Sequence, residues 1–256
     1  MIGLPLELDA NAAMKSIVRK ETGEDWKVYL QRLAEEEGVE IESDENLRRF
    51  DKKRKNKKVS NEEWKSSSDA DARIANMKDG RTHLAYKAEH TIDAESEFVL
   101  DARVYHADEP DTDSLLVSVT EAQRNLDDAG VEQRIEEAVA DKGYHKNETL
   151  ADCRECSIRT YIPEREQEKR RWTDKPPEYE DAFRANRRRV WGARGRRLQR
   201  QRNERVERSF AHMCEIGGVR RTWLRGLSKI NKRYRIQMAA RNLGLLMRTL
   251  FGVGKP

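Results

Sequence analysis

Nowhere in this chain do apolar residues run on for the roughly 18–20 positions that a membrane-spanning helix needs, so a helical membrane span is excluded. The opening stretch Met1–Met14 lacks the basic start of a secretory signal and contains Glu7 and Asp9. Cysteine is scarce: three residues, an odd number, imply no disulfide framework and fit a reducing cytosol. Apolar residues are themselves few, 36% against 38% charged. Scattered, they would indicate disorder; here they are grouped in periodic stretches, which indicates a folded core under heavily charged surfaces. No internal repeat is present.

The charge is unevenly placed. From Glu164 to Pro256 there are 26 Lys and Arg against 10 Asp and Glu, whereas the remainder has 25 against 37. A basic C-terminal third on a nearly neutral chain suggests a polyanionic partner, nucleic acid first. Between Arg184 and Arg208 stand Arg187, Arg188, Arg189, Arg194, Arg196, Arg197, Arg200, Arg202, Arg205 and Arg208, with Trp191 interleaved. Arginine grips phosphate through a bidentate fork and stacks on rings. The run reads as a DNA-tracking surface or as a solvated helix face. The basic run Lys52–Lys58 carries the same two readings.

Periodicity gives the organisation. Met1–Leu8 alternates loosely and could be a short strand, which Pro5 demotes. Asn11 is a candidate cap for a helix over Ala12–Arg19, and Glu24–Glu36 has Trp26, Tyr29, Leu30 and Leu33 on one face. Ser60 and Glu63 form a capping-box pattern before Trp64. Residues 11–68 therefore read as an inserted, charged helical piece, separate from residues 1–10 and from 69–256. Beyond Arg81 the period becomes two: Thr82–Asp93 alternates, Phe98–Tyr105 follows, and a hairpin joins them. A helix over Ser114–Leu126, a strand over Ile135–Ala140, a short helix from Asn147 to Cys156, a strand over Arg159–Pro163, a polar loop with Pro176 and Pro177, and long helices near Arg194–Met213 and Lys229–Phe251 complete the chain. This order predicts an α/β (α+β) fold with a mixed sheet flanked by helices.

Two carboxylates stand out. Asp141 ends the apolar strand of Ala138-Val-Ala-Asp-Lys-Gly143, where chains leaving an open sheet build sites; the pattern equally suits a plain turn aspartate. Glu207 borders the stripe Val206, Phe210, Met213, flanked by Arg205 and Arg208, and could reach a metal over the sheet or simply pair with those arginines. Cys153, Cys156 and His145 allow a zinc reading, against which stands an amphipathic helix with small, semi-buried cysteines.

Several blocks, in order, resemble those of DDE transposases of bacterial insertion sequences: Asp69-Ala-Asp-Ala-Arg73, Asp79–His90, Ala138–His145, Arg205-Val-Glu-Arg-Ser-Phe-Ala-His212, Arg220–Gly226 and Ala239-Ala-Arg-Asn-Leu243. The resemblance spans about Ala10 to the C-terminus. It implies a ribonuclease-H-like catalytic domain whose Asp, Asp and Glu bind two magnesium (or manganese) ions, and it places the second Asp at Asp141 and the Glu at Glu207. The first Asp falls at Leu4, so the two-ion site is expected to be incomplete. Asp9 is five residues along a strand from that position, about 16 Å away, and does not substitute. Where some relatives carry Tyr and Arg seven and four residues before the Glu, this chain has Arg200 and Asn203. Met1–Leu8 resembles replacement sequence on an N-terminally truncated copy. The function implied is DNA transposition with impaired strand cleavage and transfer; the alternative is a non-catalytic fragment that binds transposon ends or modulates an active transposase. DNA (transposon ends and target) is the expected partner at Arg187, Arg188, Arg189, Arg194, Arg196, Arg197, Arg200 and Arg208. A homo-oligomer is a further expected association, and the cytoplasm, at the nucleoid, the expected location.

Overall fold

The computed structural model describes residues 1–3, 5–55, 59–76, 80–165 and 171–252. Its centre is β5 (Thr82–Ile92), whose alternation puts Leu84, Tyr86, Ala88, His90 and Ile92 on one face and Lys87, Glu89 and Thr91 on the other. On one edge β5 pairs antiparallel with β1 (Leu6–Asp9). On the other it pairs antiparallel with β6 (Val99–His106) and, beyond the end of β6, with β4 (Arg73–Asn76). The ladder continues past β1: Ile2 bridges Thr91, and Ile2 N donates to Val139 O at 2.9 Å. That bond joins the N-terminal strand to β7 (Glu137–Val139), which pairs in parallel with β8 (Arg159–Tyr161). The register against β5 shifts by one residue between Ile2 and Leu6, the stretch that contains Pro5, whose ring has no N–H to give the ladder.

Helices cover both faces. α3 (Asp111–Asp128), α4 (Asn147–Glu155) and α5 (Pro177–Trp191) enclose one apolar cluster with Ile2, Ala138, Ala140 and Ile162. α6 (Ala193–Glu215) and α7 (Leu227–Phe251) enclose the other with the even-numbered face of β5. α7 also closes the outer edge of β6, which would otherwise expose unpaired backbone. Asn231 Oδ1 accepts from Val104 N at 3.1 Å, Arg235 Nε donates to Ala102 O at 3.1 Å, and Asn242 bonds both N and O of Val99 at 2.8 Å. The start of α7 is held by two carboxylates. Asp69 accepts from Gly226 N at 3.1 Å and from Tyr86 Oη at 2.8 Å, and Asp71 accepts from Leu227 N at 2.9 Å. Negative charge at a helix N-terminus is favourable, and Gly226, at φ 87°, makes the turn that presents those amides.

The N-terminal insertion departs from the all-helical expectation. It contains α1 (Trp26–Glu36) and α2 (Asp44–Lys53), but also a small antiparallel pair, β2 (Ile17–Arg19) and β3 (Trp64–Ser66). The helix expected over Ala12–Arg19 is absent: a 3-10 turn at Met14–Ser16 leads into β2, and the Asn11 side chain donates to Trp223 O at 2.8 Å instead of capping. Ser60 does accept from a following amide, Glu62 N at 2.9 Å, yet Trp64 continues into β3 and packs its ring on Trp26 and Tyr29. Of the basic run Lys52–Lys58, Asn56–Lys58 lie outside the described residues. Among the described residues no helix is long and apolar enough to cross a membrane.

Candidate functional site at the end of β7

The buried run Ala138-Val139-Ala140 carries β7 to the edge of the core, and Asp141 is the first residue to leave it. Its Oδ1 accepts from Gly143 N at 3.1 Å, which starts the 3-10 turn Lys142–Tyr144. Its Oδ2 meets Arg202 Nη2 at 3.0 Å.

Arg202 comes from α6. The buried residues of that helix are Gly195, Leu198, Arg202, Val206, Ser209 and Met213, a helical stripe laid on the sheet. Arg202 thus occupies a core position, its side chain 9% exposed against 17% for Asp141. Its Nη2 also donates to Asn203 Oδ1 at 2.6 Å, while its Nε is buried without a hydrogen-bond partner. Glu207 stands one turn beyond Asn203 on the same side of α6. It is exposed, and makes no hydrogen bond or ion pair among the described residues.

Gly3 lies between these two carboxylate-bearing segments. Its carbonyl is 2.9 Å from Tyr144 Oη, three residues past Asp141. Its Cα lies against Val206, the residue before Glu207; a Cβ added at Gly3 would stand 2.2 Å from Val206 Cγ1 and 3.2 Å from Phe210 Cε2. Valine is stiff at χ1 and cannot swing away. Gly3→Ala is therefore expected to cost about 1–3 kcal/mol, read as a shifted urea midpoint at unchanged slope, and Val206→Ala in the same chain should recover part of it. An unchanged midpoint for Gly3→Ala would mean that the strand does not approach α6 this closely.

Beneath the site Glu89 is 1% exposed and surrounded by hydroxyls. Ser114 Oγ and Tyr144 Oη lie 2.7 and 2.5 Å from its Oε2, and Ser118 Oγ bonds its Oε1. Burial raises the Glu89 pKa, and the hydroxyl bonds only partly offset it. Ser114 and Tyr144 each have a carbonyl acceptor as well, Asp111 O and Gly3 O. A protonated Glu89 can therefore donate into this ring while the hydroxyls donate outward. Glu89 escaped the sequence reading because the face of β5 opposite the apolar one looks merely polar.

The other candidates divide. Leu4 lies outside the described residues. Asp9 sits at the far end of β1, 3.2 Å from His83 Nδ1 and hydrogen-bonded through its backbone to Arg220 and Thr222. Arg188, Arg196, Arg197 and Arg200 are exposed, and among the described residues no carboxylate pairs with them. Three more are already matched: Arg187 with Glu164 at 3.2 Å, Arg194 with Glu137 at 2.6 Å, and Arg208 with Glu97 at 3.1 Å. Arg189 and Arg202 turn inward, against the expectation of a DNA-facing row; Arg189 Nε donates to Thr160 O at 2.9 Å. Trp191, the last residue of α5, is exposed.

The zinc alternative has no support: Cys153 is buried, which pushes its thiol up to about 12, and Cys156 is exposed. Among the described residues no group of three His, Cys, Asp or Glu could hold a metal ion. Asp141 and Glu207 are hard oxygen donors suited to magnesium. Two such groups, one already ion-paired to an arginine, do not fit a pair of divalent ions.

Residues 129–247, a little under half of the chain, match the family model described as a transposase DDE domain. The matched segment contains Asp141, Arg202 and Glu207. Comparison with curated proteins and with solved structures gives no match.

Proposed function

We propose that this chain, whose residues 129–247 match the model of a transposase DDE domain, acts in DNA transposition as a DNA-binding protein whose catalytic centre is incomplete. The observation that carries the reading is the meeting of Asp141, Gly3 and α6 beside the exposed arginines of α5 and α6. The neighbour sequence β6, β5, N-terminal strand, β7, β8, with antiparallel pairing on one side and a parallel pair on the other, supports a ribonuclease-H-like sheet. The resemblance puts the first Asp at Leu4, which lies outside the described residues.

Cleavage and strand transfer at a phosphodiester require an attacking oxygen in line with a stabilised leaving oxygen, which two cations share in such enzymes. Asp141 and Glu207 do not supply that site, so no cleavage step is assigned to this chain. What its own residues support is phosphate contact through Arg188, Arg196, Arg197 and Arg200, with Trp191 available to stack. This favours the non-catalytic reading: a protein that holds transposon or target DNA, or modulates a cutting-competent transposase. The test is a nicking assay on supercoiled plasmid with magnesium or manganese, beside a gel shift in EDTA. Retention of DNA in EDTA without nicking above background is expected. Metal-dependent nicking that Asp141→Ala removes would refute it.

A further inference from the structure

Arg202 is the one charged residue among the buried positions of α6. A guanidinium stays protonated at any working pH, and a charge so enclosed demands a counter-charge. Asp141 is the carboxylate in ion-pair range of it among the described residues, at 3.0 Å, and Asn203 adds a neutral acceptor. We propose that Arg202 takes the place of the cation at this centre: its guanidinium neutralises Asp141 and keeps divalent ions out. The proposal rests on the transposase reading, because that reading is what makes Asp141 a metal carboxylate.

Two costs oppose an ion at Asp141. A magnesium ion bonded to Oδ2 would stand within about 5 Å of Arg202 Nη2, and the two positive charges repel. Displacing Arg202 instead would strand a buried guanidinium whose Nε already lacks a partner. The other oxygen of Asp141 is held by Gly143 N. The positive charge beside Asp141 is thus supplied by protein. The exclusion of metal has a second cause, independent of Leu4.

The experiment is a manganese titration followed by electron paramagnetic resonance, on the full chain and on Arg202→Gln and Arg202→Leu, with folding checked by circular dichroism. Removing the guanidinium is expected to tighten manganese binding about tenfold or more, and Asp141→Asn added to either variant should reverse the gain. Tight manganese binding by the unsubstituted chain that Asp141→Asn abolishes would overturn the proposal, as would no gain in the Arg202 variants. A second measurement needs no Arg202 variant. In EDTA, Asp141→Asn alone should lower the melting temperature by about 5 °C or more, because it strands Arg202. An unchanged or raised melting temperature, as expected of a carboxylate kept for metal, would also overturn it. The DNA gel shift in EDTA stays separate: its failure would remove the DNA-binding reading and leave the ion pair standing.

Discussion

Replacing Arg188, Arg196, Arg197 and Arg200 together by glutamine is expected to weaken binding to duplex DNA by roughly 10²–10³ near physiological salt. The reasoning is counterion release. Each phosphate neutralised frees about 0.9 of a condensed cation, so losing four contacts should flatten the slope of log K against log salt by about 3 to 4. These four are chosen because their charge is unspent: they are exposed, and no described carboxylate meets them. Arg187, Arg194 and Arg208 supply the control. Each is paired, with Glu164, Glu137 and Glu97 respectively, and a phosphate would have to displace that partner. The same substitution at these three should leave affinity within about threefold, because a phosphate reaches each guanidinium only in competition with the carboxylate it already holds. Gly195 lets the start of α6 lie close against the end of α5. Its Cα approaches the carbonyls of Arg189 and Val190 so closely that a Cβ would stand 2.1 and 2.7 Å from them, which fixes α6 against α5. If the paired set proves as important as the unpaired set, DNA does not lie along this face.

Much of the sheet is legible in the sequence, and the misses have physical causes. Thr82–Ile92 reads as a strand because its apolar face is unbroken at period two, and the structure buries it on both sides. α6 and α7 are long and periodic enough to survive their charge. α5 was hidden behind Pro176 and Pro177, which suggested a loop; Pro177 instead occupies the first helical turn, where a missing N–H costs nothing. α2 escaped because Asp44–Lys53 is almost wholly charged and buries only Leu47 and Phe50. Ile17 and Val18 followed a plausible cap, yet their β-branched side chains went into a strand once Trp64–Ser66 offered a partner. At the site, pattern and resemblance single out Asp141 and Glu207, whereas Arg202 reads as one of the DNA-facing arginines. The signal was present: carrying the stripe Met213, Val206 back by one turn lands on Arg202, and then on Leu198. An arginine in an apolar register needs a buried carboxylate, and the strand-end aspartate was the one to look for.

Protonation of His90 is expected to destabilise this fold strongly in mild acid. His90 lies at the centre of β5, 1% exposed, with Nδ1 at 2.7 Å from Tyr234 Oη and Nε2 at 2.8 Å from Ser209 Oγ. It thereby ties α7 and α6 to the sheet, and the Phe210 ring packs 4.1 Å from its own. Burial above all, then the positive charges of Arg241 and the N-terminal amine, lower its pKa from 6.5 to about 3. The folded chain thus refuses a proton that the unfolded chain accepts below pH 6.5. The stability this represents is present above pH 6.5 and is lost as pH falls toward 3, at about 1.4 kcal/mol per pH unit. Replacing His90 by alanine should cost about 3–5 kcal/mol at pH 7, by leaving a cavity and two orphaned hydroxyls. Because the variant lacks the titrating group, its deficit should shrink by roughly 2 kcal/mol between pH 7 and pH 5. Urea melts of the two chains at both pH values measure that convergence. Curves that stay parallel would show that the ring is not buried neutral between α6 and α7, and the packing of both helices on β5 would need redrawing.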